Sequence, residues 1–311
     1  MNELNNTFNF YDSTYIKSYN LNKSIKYQLN LLDSLDLFTR KHSENVATIT
    51  CNLCKKLHLS RSFTEYCTTC AYLHDVGKLF IPAEILQKPS KLTDEEFEIM
   101  KTHTTLGYKL CIKDEKLRPY YAGPYYHHEC LDGTGYPQGL FENEIPYEAQ
   151  IIKVADEYDA LVNKRQYKSH IGVSESLKII IERTKPSPEA IPNTKYSKLG
   201  KNNKTIVKKL LKVVIDDIEY EISCTDNYVK HLSKEIERYE TIKNYLRKSN
   251  STNNQKKKTY FEEYAKLYLA KDESLSDYEK LHEEALEAYK LRKNILNDLY
   301  EEIKIIKKLH V

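Results

Sequence analysis

The chain has 311 residues, 40% of them hydrophobic, with 48 basic against 45 acidic side chains and a formal net charge of +3. That length can hold one domain of about 200 residues plus an extension, and the near-balanced charge makes no case for DNA, RNA or an anionic membrane as partner. No run of about 18 apolar residues exists to cross a membrane, and Met1-Asn2-Glu3-Leu4-Asn5-Asn6 lacks the basic and apolar regions of a signal peptide, so a cytoplasmic protein is expected.

Residues 1–20 are Asn- and Tyr-rich, aperiodic, and read as a loose leader. From Ser24 the apolar positions Leu29, Leu32, Leu35 and Leu37 fall at helical spacing, and His42-Ser43-Glu44 opens a second helix through Ile49, Leu53 and Leu57. Ser60 is a cap for a helix running from Arg61 into His74 and Asp75. Thr93-Asp94-Glu95-Glu96 has the chemistry of a capping box and opens a helix that carries Met100 and His103. A helix near Tyr147 follows Pro146, with Ile151, Ile152, Val154 and Ala155 turning Asp156 inward. After an irregular, Pro- and Asn-rich excursion from Lys185 to Asn203, a helix from Thr205 closes the first domain. No alternating strand pattern with hairpin turns occurs, so the class is all-α.

Beyond residue 222 the chain is charged, helical and free of glycine, with candidate helices at 226–248, 260–270 and 275–309. Tyr278, Leu281, Ala285, Ala288, Ile295, Leu299, Ile303 and Ile306 follow a three-four spacing, which predicts a coiled coil or helical hairpin. Residues 223–311 are therefore read as a helical extension, offering either a dimer seam for a second copy, a protein partner's docking face, or a helix folded back on its own domain. Cys51-x2-Cys54 and Cys67-x2-Cys70 match the spacing of a four-thiolate zinc site. Both pairs lie in helical stretches without glycine knuckles, so small core residues sharing a helix face are the preferred reading.

The chemistry concentrates in Tyr126-His127-His128-Glu129-Cys130-Leu131-Asp132-Gly133-Thr134-Gly135-Tyr136-Pro137, with His74-Asp75-Val76-Gly77-Lys78 upstream and Asp156-Glu157-Tyr158-Asp159 downstream. Imidazoles and carboxylates are the ligand types of di-iron and di-manganese sites. Seven of the eight glycines fall between Gly77 and Gly172, as turns around a binding site require. A lone helical histidine is ordinarily a packed or surface residue, and His58, His170, His231, His282 and His310 are read so. The adjacent pairs His74-Asp75 and His127-His128 are costly unless something satisfies them.

These motifs resemble those of the HD-GYP family, a bacterial signalling branch of the HD metal-dependent phosphohydrolases. His74-Asp75-x-Gly77-Lys78 matches the HD signature, and His127-His128-Glu129-x2-Asp132-Gly133-x-Gly135-Tyr136-Pro137 matches the signature that names the branch. His42 matches the first ligand histidine, His103 with Gly107 the middle one, and Asp156 the late aspartate. The resemblance covers about residues 21–221 and implies a helical HD-type bundle holding two divalent ions, iron or manganese. Their ligands would be His42, His74, Asp75, His103, His127, His128 and Asp156, with Asp75 bridging. It further implies hydrolysis of cyclic di-GMP to linear pGpG or on to GMP.

Catalytic roles fall by the same resemblance to Asp75 and Lys78, and ligand contacts to Lys78, Arg165, Asp132, Gly135 and Tyr136. A plain helix-end cation is the bland alternative for Lys78. Family members with three metals carry an acid one turn before the first histidine; here that position is Phe38, and Asp36 lies on another helix face, which favours two. The runner-up reading is a slow or inactive receptor for cyclic dinucleotides that signals through residues 223–311.

Overall fold

A computed structural model describes residues 23–35, 37–163, 172–186, 196 and 198–311, with the side chains of residues 24, 33–35, 37 and 38 left aside. The expected leader at 1–20, Asp36, Arg165 and most of the excursion after Lys185 lie outside the described residues. Among the described residues there are helices and no strand, with one isolated antiparallel bridge from Asp132 to Phe141. The all-α class read from the sequence holds. None of the described helices is long and apolar enough to cross a membrane. Two compact units are present: one takes in Ile218–Lys304, the other the described part of Phe8–Asp217 together with Ile305–Val311.

The larger unit begins with α1 (Lys23–Leu35), α2 (Leu37–Lys56) and α3 (Arg61–Leu73). A 3-10 helix at Val76–Phe80, α4 (Ala83–Leu86), α5 (Asp94–Lys101) and α6 (His103–Lys113) follow, then a 3-10 turn at Arg118–Tyr120 and α7 (Ala122–Tyr126). It closes with α8 (Tyr147–Val162), α9 (Val173–Glu182) and the start of α10 (Lys204–Asn250). α2 packs against α3 and α8, and α6 against the Val76–Phe80 turn. The core is aliphatic: Ile25, Leu29, Leu32, Leu53, Leu73, Ile151, Ile152, Leu177, Ile180, Ile206 and Leu210 are all but fully buried. Each such side chain contributes about 1.5–3 kcal/mol by leaving water, so the scaffold that carries the polar residues is firmly held.

Local signals set most boundaries. Ser60 Oγ accepts from the Phe63 N–H at 3.2 Å and caps α3, and Thr93 and Glu96 form a reciprocal capping box on α5. Three expectations need correction. α2 starts at Leu37, so His42 sits inside a helix rather than opening one; no breaker separates the two positions. The helix opened by Thr93 stops at Lys101, and His103 begins a new one. The reason is His103 itself, whose Nδ1 takes the Met100 carbonyl at 2.7 Å and competes with the helical ladder, while Thr102 Oγ1 takes Ile99 O at 2.6 Å. Finally, the helices read at 205–218 and 226–248 are one, α10, 47 residues long. It contains no proline or glycine to stop it, and the two packing units divide within it at Asp217/Ile218 rather than at the expected 222/223.

The smaller unit consists of the rest of α10 with α11 (Gln255–Lys266) and α12 (Tyr278–Ile306). Tyr239, Ile242 and Ala265 are its buried centre, and Tyr278, Leu281 and Ala285 of α12 pack against them, so the start of the three-four stripe is spent within the chain. Arg238 anchors the turn before α12: its Nη1 donates to Tyr268 O at 2.7 Å and its Nη2 to Glu273 Oε1 at 2.8 Å. The Arg238 guanidinium holds the Glu273 carboxyl down to about 2.

Cys51 and Cys54 on α2 and Cys67 and Cys70 on α3 are fully buried free thiols. Burial pushes the Cys67 and Cys70 thiols up. They pack in the core, the reading their helical spacing favoured.

Candidate metal centre

Six elements converge on one polar pocket in the larger unit. His42 comes from the middle of α2, and His74 caps the C-terminus of α3. Asp75 starts the Val76–Phe80 turn, His103 starts α6, and His127 and His128 follow α7. Asp156 lies in the third turn of α8. Among the described residues, the groups able to hold an ion are His42/His74/Asp75, His74/His127/Asp156 and His103/His127/His128, with ligand atoms within 4.8 Å of one another in each. Every one of the seven residues expected to bind metal appears in one of these overlapping groups.

The histidines are turned by their own backbone. His74 Nδ1 lies 2.7 Å from Ala71 O, His103 Nδ1 2.7 Å from Met100 O, and His127 Nδ1 2.9 Å from Gly123 O. A carbonyl can only accept, so each Nδ1 carries the proton and each Nε2 presents a lone pair. On α2 the same part is played by a carboxylate, since Asp159 Oδ2 takes the His42 Nδ1 proton at 2.6 Å. The Nε2 lone pairs then face other acceptors. His103 Nε2 stands 3.3 Å from His127 Nε2, and His42 Nε2 3.0 Å from Asp156 Oδ1. His74 Nε2 is buried with no hydrogen-bond partner. Acceptors gathered this closely out of water are stable only around cations. The residues fit metal ions, with imidazole and carboxylate as the donor set.

Asp75 is divided between the groups. Its Oδ2 faces His74 Nε2 at 3.3 Å and His42 Nε2 at 3.7 Å, and its Oδ1 faces His103 Nε2 at 3.6 Å. Lys78 Nζ donates to Oδ2 at 2.5 Å. Burial opposes the charge on Asp75, but Lys78 and the surrounding imidazoles hold its carboxyl well below the usual range.

The Gly-Tyr-Pro loop forms one wall. Tyr136 stacks on His128 with ring centroids 4.7 Å apart and meets His103 edge-on at 6.5 Å. Gly135 lets this loop lie on the chain before it: a Cβ there would stand 2.3 Å from Cys130 N. Asp132, read as a ligand contact, is 0% exposed, and its Oδ1 accepts from Thr134 N–H and Oγ1 at 3.1 and 2.7 Å. Its Oδ2 is buried with no hydrogen-bond partner, so the turn uses only one of the two carboxylate oxygens. Arg165 lies outside the described residues.

Two structural partners went unassigned in the sequence. Glu129, 1% exposed, accepts from the Gln138 and Leu140 N–H groups at 2.7 and 2.9 Å and ties the loop to the His127-His128 step. Asp159 sits one turn after Asp156, and that i, i+3 spacing on a helix already marked by a ligand was the available signal.

Proton and metal compete for one of these ligands. Burial disfavours a charged His42, but the carboxylates of Asp156, Asp159 and Asp75 outweigh it and raise the ring to about 9. Burial lowers His103 to about 4 and holds His127 and His128 well below their ordinary value. At pH 7 the metal-free His42 therefore holds a proton that a metal must displace, whereas those three rings are already neutral. Apparent manganese affinity should gain about tenfold per pH unit on this account as pH rises toward 9. Competitive chelation across pH 6.5–8.5 would measure it, and His42→Gln should show a slope lower by about one; equal slopes would refute the assignment of the proton.

A family model described as HD domain matches residues 26–186. The chain is 40% identical over 155 residues to a cyclic di-GMP phosphodiesterase of Thermotoga maritima, covering 49% of this chain and 42% of the relative. It is 43% identical over 117 residues to the cyclic di-GMP phosphodiesterase response regulator RpfG of Xanthomonas campestris, covering 37% and 31%. To a 3'3'-cGAMP-specific phosphodiesterase of Vibrio cholerae it is 35% identical over 153 residues, covering 49% and 35%. The chain spans less than half the length of these relatives. With the model match extending over half of its residues and the two signatures meeting in one pocket, the chain belongs to the HD-domain family, and within it to the HD-GYP type.

Proposed function

We propose that this protein hydrolyses a phosphodiester bond of cyclic di-GMP, giving linear pGpG or going on to GMP, at a centre of two iron or manganese ions. The observation that carries the reading is Asp75, whose two oxygens face different histidine groups as a bridging ligand's must. His42, His74 and Asp156 would complete one side, and His103, His127 and His128 the other. Bound metals supply Lewis-acid polarisation of the phosphoryl oxygens and a water acidic enough to attack at neutral pH. The chain's own groups do the rest. Asp159 and the backbone carbonyls fix the imidazoles in their metal-binding tautomer, and Lys78, beside Asp75, sets an ammonium where charge gathers on the phosphate during attack. Tyr136 closes one side against His128. Gly135 keeps that loop close, and Arg165 is assigned the second phosphate as a bidentate clamp. Residues 21–222 would be the catalytic domain and 223–311 the regulatory helices, in a cytoplasmic protein.

Relatives named for cyclic di-GMP and for 3'3'-cGAMP both support a cyclic dinucleotide. A receptor is the second reading, favoured by the unbroken course of α10 from the HD unit into the helical extension. Metal content and turnover, measured together on protein purified without oxygen and after manganese loading, separate the two. About two metals per chain with release of pGpG supports the enzyme. Two metals with tight binding and no turnover makes the protein a receptor, and neither binding nor turnover overturns both.

A further inference from the structure

α5 is unusual for a helix beside a buried site, because none of its residues is buried. Its orientation is held by polar contacts at its start: the Thr93–Glu96 capping box and the Lys88 ammonium on Glu96 Oε2 at 2.6 Å. Phe97 is therefore not needed to anchor the helix, yet it is an aromatic ring left 45% exposed. One ring, Tyr136, separates it from the ligand His128. Phe97 meets Tyr136 at 6.5 Å with planes at 81°, and Tyr136 lies on His128 at 4.7 Å. Into the corner between the two rings α5 delivers Lys101, its Nζ 5.1 Å from the Phe97 centroid and 5.7 Å from that of Tyr136. Its other contact is Glu98 at 2.5 Å, a carboxylate 69% exposed and so largely shared with water.

The geometry points to Phe97 and Lys101 as the base-reading corner of the site, taking one guanine of the substrate against the aromatic surface with its O6 and N7 toward the Lys101 ammonium. This rests on the cyclic-dinucleotide reading above and extends it to α5. A dinucleotide whose phosphate lies at the metal ligands carries its base one ribose away, which is the side on which Tyr136 and then Phe97 are found. Stacking tolerates any base, so Phe97 supplies affinity. Lys101 supplies choice: an ammonium only donates, the Hoogsteen edge of guanine offers two acceptors, and that of adenine offers one acceptor and one opposing donor.

The test uses the full chain loaded with manganese, with Kd and kcat/KM measured for cyclic di-GMP and cyclic di-AMP. Lys101→Met keeps the aliphatic stem and should cut the cyclic di-GMP to cyclic di-AMP preference about tenfold. Phe97→Ala should weaken both ligands, by about tenfold each, and leave their ratio alone. Bound manganese and the melting temperature are followed in each variant. A preference unchanged in Lys101→Met, in a protein that does bind cyclic di-GMP, overturns the corner alone. Losses that track loss of manganese overturn it too, since α5 would then act only on the fold. A parent chain that binds neither dinucleotide overturns the substrate reading and the corner with it, whereas one that binds without turnover removes hydrolysis and leaves the Kd ratio to decide.

Discussion

Replacing His74 and Asp75 together by alanine is expected to abolish hydrolysis of cyclic di-GMP, by about a thousandfold or more, while far-ultraviolet dichroism stays close to that of the parent. A thousandfold is about 4 kcal/mol of transition-state stabilisation, well within what a metal centre provides. The two residues carry an unequal share. His74 belongs to two of the ligand groups, and Asp75 is the carboxylate placed between histidines of different groups. The helices do not depend on either side chain, since α3 is capped at Ser60 and anchored by Leu73, Cys67 and Cys70 in the core. Removing Asp75 does strand Lys78, only 13% exposed and bonded to it, and leaving half of a buried pair costs about 3–5 kcal/mol. His74→Ala alone keeps that pair and separates the two effects: it should lose metal and turnover with little change in melting temperature. Undiminished turnover in the double variant would sink the metal assignment.

How far the sequence carried depended on whether a signal was local. The residues that gather in the candidate metal centre were legible because each sits in a short motif, and the capping chemistry at Ser60 and Thr93 placed the starts of α3 and α5. The break between α5 and α6 was hidden, because it arises from the His103 side chain taking the Met100 carbonyl, which no periodicity reveals. The length of α10 was missed for the opposite reason. The change to a charged, glycine-free chain beyond residue 222 read as an ending, although a helix ends on backbone grounds and no glycine or proline occurs between 204 and 250. Asp132 stands inside a signature, and coordinates were needed to show that its Oδ1 serves the turn while its Oδ2 has no hydrogen-bond partner. Glu129 and Asp159 act on residues far away in sequence or through another side chain, so their roles needed coordinates.

The glycine of the His-Asp-x-Gly-Lys motif gives the second large effect. Gly77→Ala should destabilise the protein by about 3 kcal/mol or more and lower metal affinity with it. A Cβ on Gly77 would stand 1.8 Å from His103 O and 2.6 Å from Gly107 N, and both are backbone atoms that cannot swing aside. The close approach is what sets Asp75 and Lys78, on the Val76–Phe80 turn, against His103 at the start of α6. Relief must come from moving one of those elements, and either movement pulls Asp75 Oδ1 from the 3.6 Å at which it faces His103 Nε2. Stability and metal binding are therefore coupled at a residue with no ligand atom. Gly172→Ala is the matched control, because among the described residues nothing lies within 4 Å of the Cβ it would add. Urea denaturation of the metal-free proteins and manganese titration of the same samples read both quantities. Gly172→Ala, at the N-cap of α9, should cost no more than about 1 kcal/mol and leave manganese affinity unchanged. If Gly77→Ala does the same, the approach of the turn to α6 is looser than the geometry requires, and the positioning of Asp75 must come from its contacts with Lys78 and the histidines instead.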